Sequence, residues 1–148
     1  MKKILVVDYG SQFAQIIARK IRSLGVYTQV CSWKNVEKYI SEGNLSGVVL
    51  SGGPSSVYEE GAPSIDRVLL DSLEVPILGI CYGAQLLAHI NSFEVKAGLF
   101  GEYGNKEINL VDSDLMKGIA GNTTCYMSHN DSIVSVSGEF EVIGSTDT

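Results

Sequence analysis

The chain has 148 residues, 45% of them apolar and 19% charged, with a formal net charge of −6. That length suits one domain with a buried core, and the composition excludes a disordered or low-complexity protein. The acidic balance speaks against nucleic acid or an anionic membrane as partner, because both reward clustered Lys and Arg.

The apolar run Ile4-Leu5-Val6-Val7 ends at Asp8 and is too short for a signal peptide or a membrane span. It reads as a strand, Lys3 to Val7, covered on both faces. From Ser11 to Leu24 the residues Phe13, Ile16, Ile17, Ile21 and Leu24 recur at helical spacing, with Gly25 as the stop. Val26 to Cys31 alternates as a strand, and Asn35 to Ser41 forms a short helix. Val48 to Leu50 is a second buried run, ending in Ser51-Gly52-Gly53-Pro54. Ser64 to Leu73 presents one helical face, Pro76 to Ile80 is the next strand, and Ala84 to Ile90 the next helix. This alternation predicts an α/β fold with a mostly parallel central sheet flanked by helices. After Phe93 the texture changes. Glu107–Val111, Thr124–Met127, Ile133–Val136 and Phe140–Ile143 read as short strands of a mixed or antiparallel C-terminal extension. No repeat or linker divides the chain, so residues 1–148 read as one domain.

Ligands of open parallel sheets bind beyond the carboxyl ends of the strands. Three such ends carry unusual residues and should converge: Asp8-Tyr9-Gly10-Ser11-Gln12, Ser51-Gly52-Gly53-Pro54-Ser55 and Cys81-Tyr82-Gly83. The three cysteines, Cys31, Cys81 and Cys125, are odd in number and lack a CxxC spacing. A disulfide framework or zinc site is not expected, and a reducing cytoplasm is the natural compartment.

Gly79-Ile80-Cys81-Tyr82-Gly83 lies between a predicted strand and a predicted helix. It has the pattern of a nucleophile elbow, with cysteine as the central residue. Paired glycines permit the sharp turn, and the helix N-terminus favours the thiolate that attacks a carbonyl carbon. The blander alternative makes Cys81 a small buried hydrophobe at a strand end. Attack on an amide creates an oxyanion, and the backbone N–H groups of Gly53 and Tyr82 are the candidate donors. A Gly-Gly-Pro turn alone would mean only a turn; its pairing with the elbow gives it chemical meaning. A cysteine hydrolase also needs a base. His89 lies about two turns into the helix after Cys81, and His129 falls in a predicted loop, so His129 is the candidate the residues offer.

Taken together, Asp8-Tyr9-Gly10-Ser11-Gln12, Ser51-Gly52-Gly53-Pro54, Val57-Tyr58-Glu59-Glu60-Gly61-Ala62-Pro63 and Leu78-Gly79-Ile80-Cys81-Tyr82-Gly83-Ala84-Gln85 resemble the GMP synthetase branch of the class I glutamine amidotransferases. Glu102-Tyr103-Gly104, Met127-Ser128-His129 and Phe140-Glu141-Val142-Ile143 extend the likeness along the whole chain. The resemblance implies a flavodoxin-like amidotransferase fold and hydrolysis of L-glutamine to glutamate and ammonia. The ammonia would serve an ATP pyrophosphatase (synthetase) domain or subunit that converts XMP to GMP. It implies Cys81 as nucleophile through a γ-glutamyl thioester, with Gly53 and Tyr82 as the oxyanion hole. Gln85 would contact the substrate, and Ser128, Asn130 and Asp131 would hold its amino-acid end. No cofactor or metal is implied in this domain; ATP and Mg belong to the synthetase partner.

Two positions depart from the family pattern. Asn130 stands where glycine is usual, and asparagine tolerates positive φ better than most residues. No His-x-Glu occurs in the sequence, whereas the family carries a catalytic His-Pro-Glu further downstream. The expectation is therefore a C-terminally incomplete domain, 1–148, that is nearly inactive by itself. The alternatives are a non-catalytic module that binds and regulates a synthetase, and an unrelated cysteine hydrolase using His129.

Overall fold

The computed structural model describes residues 1–119, 121–138 and 140–147, without the side chains of 99 and 100. The chain folds as two compact units, Met1–Asn91 and Ser92–Thr148. Thr148, where the predicted domain range ends, lies outside the described residues.

The first unit alternates β1 (Lys3–Asp8), α1 (Phe13–Ser23), β2 (Thr28–Ser32), α2 (Val36–Ser41), β3 (Leu45–Leu50), α3 (Arg67–Asp71), β4 (Ile77–Gly79) and α4 (Tyr82–Ile90). All strand pairings are parallel, in the order β2-β1-β3-β4. Leu5, Val6 and Val7 are fully buried although they are consecutive, which requires cover on both faces of β1. Ala14 and Ala18, one turn apart on α1, pack with Val6 and Val49, and Ile4, Ile17, Ile21, Val30 and Ile80 close the cluster. Burying a side chain the size of Leu or Ile contributes about 1.5–3 kcal/mol. Gly25, at φ +79°, ends α1: its N–H reaches the Arg22 carbonyl at 2.9 Å, and the Val26 N–H reaches Ile21 at 3.4 Å. The Arg22 guanidinium then donates to the Thr28 carbonyl at 2.8 and 3.1 Å, tying the helix end to β2.

Two helices differ from the sequence expectation at their starts. The helix expected from Ser64 begins at Arg67, because Asp66 stays extended and its carboxylate caps Val68 N–H (2.7 Å) and Leu69 N–H (3.3 Å). The helix expected from Ala84 begins at Tyr82, immediately after the turn that leaves β4.

The second unit is antiparallel: β5 (Val95–Leu110), β6 (Gly121–Ile133) and β7 (Gly144–Ser145), in the order β6-β5-β7. Several expected short strands are parts of longer ones here. Glu107–Leu110 lies in β5, Thr124–Met127 in β6, and of Ile133–Val136 only Ile133 is in a strand. Phe140–Ile143 is outside any strand, and the paired residues are the two after it. Glycines obscured the length of β5, since Gly98, Gly101 and Gly104 interrupt its side-chain alternation. Between the pairs Ala97–Asp131 and Glu102–His129, β5 advances five residues while β6 advances two, so β5 bulges there. Among the described residues no helix is long and apolar enough to cross a membrane.

Candidate active site

Where β4 turns into α4, two glycines decide the geometry. A Cβ on Gly83 would lie 2.2 Å from the Leu50 carbonyl oxygen, and one on Gly79 would lie 2.7 Å from the Ala84 backbone. No other residue fits either position without moving main chain. Between them Cys81 adopts φ +51° and ψ −115°, which places a side-chain residue where glycine is normally required. The elbow is held by hydrogen bonds of 3.0 Å: Ile80 N–H to the Leu50 carbonyl, Gly83 N–H to Ser51, and Ala84 and Gln85 N–H to Cys81. Cys81 is exposed at the N-cap of α4, and Tyr82 opens the helix; the N–H of Gly83 is shared between the Ser51 and Ile80 carbonyls.

The three strand ends converge, as the sequence predicts. A Cβ on Gly52 would lie 3.5 Å from Cys81 Cβ and 3.7 Å from Ser11 Oγ, so the loop after β3 passes between the other two. A Cβ on Gly10 would lie 3.4 Å from Pro54 Cδ. Asp8 shapes the loop after β1 by accepting from Gly10 N–H (2.8 Å) and Ser11 N–H (3.1 Å). Ser51, to which the sequence alone assigns no role, is fully buried and connects these loops. Its N–H donates to the Val7 carbonyl (3.0 Å), its hydroxyl donates to the Gly52 carbonyl (2.9 Å), and its Oγ accepts from Tyr9 N–H (3.3 Å).

Two buried tyrosines lie under the turn. Tyr9 and Tyr82 pack with ring centroids 5.4 Å apart, tilted by 49°. The Tyr82 hydroxyl donates to the Pro63 carbonyl, anchoring the long connection between β3 and α3. Burial pushes both phenols up from their ordinary range, with Tyr82 and Cys31 adding to the rise at Tyr9, and Glu59 at Tyr82. Neither ring ionises near neutrality.

Gln85 is buried one turn after Cys81. Ser128, Asn130 and Asp131 belong to the second unit, where Asp131 is buried and the other two are exposed. The predicted loop at Met127–Asp131 is instead part of β6. Asn130 therefore does not use positive φ; among the described residues only Asn44, Cys81 and Ser92 do so without being glycine. His129 spans two acceptors: Nδ1 is 3.1 Å from the Asp131 carbonyl and Nε2 is 3.2 Å from Glu102 Oε2. Both ring nitrogens are engaged within the hairpin, unlike a base with a nitrogen open to a nucleophile. His89 is exposed near the far end of α4 and borders an open cleft of about 570 Å³ with Ser64, Asp66 and Arg67.

The other cysteines have different environments. Cys125 is half-buried in β6, and Cys31 is buried in β2. Burial pushes the Cys31 thiol up to about 11, with Lys3 opposing the rise and Asp8 adding to it. The folded chain thus holds this proton more tightly than the unfolded chain. The resulting stability is present below about 9 and is lost as pH rises toward about 11. Following the denaturation midpoint through that range should show a shallower alkaline decline in Cys31→Ala than in the wild type. Equal slopes would contradict the assignment.

The class-I glutamine amidotransferase family profile matches residues 5–148. The chain is 42% identical over 149 residues to a glutamine-hydrolysing GMP synthase of Cytophaga hutchinsonii, covering 99% of this chain and 29% of that protein. It is also 42% identical over 153 residues to the corresponding Fusobacterium nucleatum enzyme, covering 100% of this chain and 30% of that protein. The chain therefore spans less than a third of these relatives' length. Among solved structures, a Thermoplasma acidophilum protein described as one subunit of a GMP synthase superposes with a TM-score of 0.82 at 31% identity, covering 100% of this chain and 74% of that one. With this likeness over its whole length, the chain belongs to the class I glutamine amidotransferase family.

Proposed function

We propose that residues 1–148 form the glutamine-hydrolysing component of a GMP synthetase, with Cys81 as its nucleophile. The observation that carries this reading is the strained backbone of Cys81 between two obligatory glycines at a helix N-terminus. Strain of this kind costs about 1–3 kcal/mol and persists where an exposed reactive side chain is needed. The Cys81 sulfur would attack the side-chain carbonyl carbon of L-glutamine, giving a tetrahedral oxyanion that the N–H groups of Gly53 and Tyr82 would stabilise. Collapse would break the C–N bond, release ammonia and leave a γ-glutamyl thioester for water to hydrolyse. Gln85 is proposed to contact the substrate side chain, and Ser128, Asn130 and Asp131 to read its amino-acid end. The ammonia would pass to an ATP-dependent synthetase partner in the cytoplasm.

Ammonia departure and thioester hydrolysis both need proton transfer, and the 148 residues contain no His-x-Glu. Removing the histidine of such a triad costs several orders of magnitude. By itself the chain should accept a γ-glutamyl group and turn over very slowly. A non-catalytic regulatory module would share the fold but would not need the strain at Cys81. Protection separates the two. L-glutamine should slow iodoacetamide alkylation of Cys81, and L-asparagine, one methylene shorter, should not. Equal rates with and without L-glutamine would refute the substrate assignment.

A further inference from the structure

We propose that Tyr9 is a positioning residue that sets the separation of the two oxyanion donors, the N–H groups of Gly53 and Tyr82. The proposal deepens the reading above and rests on it. Tyr9 directly follows β1 and is 2% exposed. It meets both donor-bearing residues through different parts of itself. A Cβ on Gly53 would fall 2.7 Å from the Tyr9 carbonyl oxygen and 3.1 Å from Tyr9 Cβ, so Gly53 rests on the Tyr9 main chain. The Tyr9 ring, in turn, packs on the ring of Tyr82.

The spacer is fixed from outside as well. Ser51 Oγ accepts from Tyr9 N–H, and Ser51 stands two residues before Gly53 in the same loop. On the other side the Tyr82 hydroxyl is bonded to the Pro63 carbonyl, so that ring cannot turn away freely. The loop after β3, the tyrosine pair and the first residue of α4 thus form one continuous packed stack. An oxyanion hole works only when both donors are aimed at the place where charge develops, and a misplacement of about 1 Å costs roughly a hundredfold.

The Tyr9 hydroxyl takes no part in this arrangement. It is buried and finds no hydrogen-bond partner among the described residues. An unsatisfied buried hydroxyl destabilises rather than anchors. The useful feature of Tyr9 is therefore the bulk of its ring, and phenylalanine should serve as well. That separates this role from a hydrogen-bonding or proton-transfer role for the phenol.

The test compares two reagents on the full chain. An activated γ-aryl ester of L-glutamate acylates Cys81 through a tetrahedral oxyanion: the C–S bond forms, the C–O bond breaks, and the aryloxide leaves with the electron pair. Iodoacetamide is attacked at a saturated carbon, expels iodide and develops no oxyanion. Tyr9→Leu should slow the aryloxide burst about tenfold or more while iodoacetamide alkylation stays within about twofold. Tyr9→Phe should keep both wild-type rates. Gly53→Ala, which pushes on the same spacer from the other side, should reproduce the Tyr9→Leu signature and carries the test if Tyr9→Leu does not fold. An unchanged ester burst in Tyr9→Leu or in Gly53→Ala, or an equal loss with both reagents, would overturn the proposal. A slow burst in Tyr9→Phe would do the same. A wild-type chain that reacts with iodoacetamide but not with the ester would remove the reading of the site, and this proposal with it.

Discussion

Replacing Gly83 with alanine should cost about 3 kcal/mol or more, at the upper end for adding one methyl group to a packed interior. The added Cβ would meet the Leu50 carbonyl oxygen at 2.2 Å and its carbonyl carbon at 2.6 Å. These are main-chain atoms of β3, a strand bonded to β1 on one side and β4 on the other. They cannot yield as the end of a flexible side chain could. Relief requires α4 to lift away from the sheet, which breaks the 3.0 Å bond from Gly83 N–H to the Ser51 carbonyl. Gly47→Ala is the control, because its Cβ would find the nearest atom, the Pro76 carbonyl oxygen, at an ordinary 3.5 Å. Urea denaturation should show a large loss of midpoint for Gly83→Ala and a change within about 1 kcal/mol for Gly47→Ala. Similar losses in both would mean that the elbow is looser than described.

Cys81→Gly should abolish covalent reaction with glutamine analogues and at the same time make the fold more stable. The thiol is the proposed reacting group, so its removal leaves nothing to acylate. The stability gain comes from the backbone. At φ +51°, ψ −115° a side chain costs about 1–3 kcal/mol, whereas glycine is at ease. Glycine also gives the unfolded chain more freedom, worth roughly 0.5–1 kcal/mol in the opposite direction. The net expectation is a gain of about 1 kcal/mol. Cys81→Ala keeps Cβ and hence the strain, so it should lose reactivity without that gain. A Cys81→Gly chain less stable than Cys81→Ala would contradict the strained elbow as the feature that defines this site.

The parallel half of the fold was legible because consecutive apolar residues such as Leu5-Val6-Val7 call for a strand covered on both faces, and the helix pattern of α1 was equally plain. Helix starts were less so. The capping role of Asp66 depends on one extended residue, and the start of α4 on a turn whose backbone is unusual for its central residue. In the hairpin half, glycines break the alternation of β5, and the bulge opposite Asn130 is a pairing property that the local sequence does not express. That is why the segment from Met127 to Asp131 looked like a loop. Within the candidate site, Cys81 stands out through the glycine spacing of the elbow, and Gly53 and Tyr82 are candidate donors through its pairing with the Gly-Gly-Pro turn. Ser51 and Tyr9 lie inside motifs already noticed, yet what they do depends on contacts between residues 42 apart (Tyr9 with Ser51) and 73 apart (Tyr9 with Tyr82) in the chain.

The central claim is that Cys81 is the one nucleophile of a glutamine site. Its most direct test is the intact mass of the chain after exposure to a diazo-ketone analogue of L-glutamine, beside Cys81→Ala. The account predicts a single adduct, mapped to the Cys81 peptide and absent from Cys81→Ala, with Cys31 and Cys125 unmodified. An adduct that persists in Cys81→Ala, or no adduct on a folded wild-type chain, would contradict it.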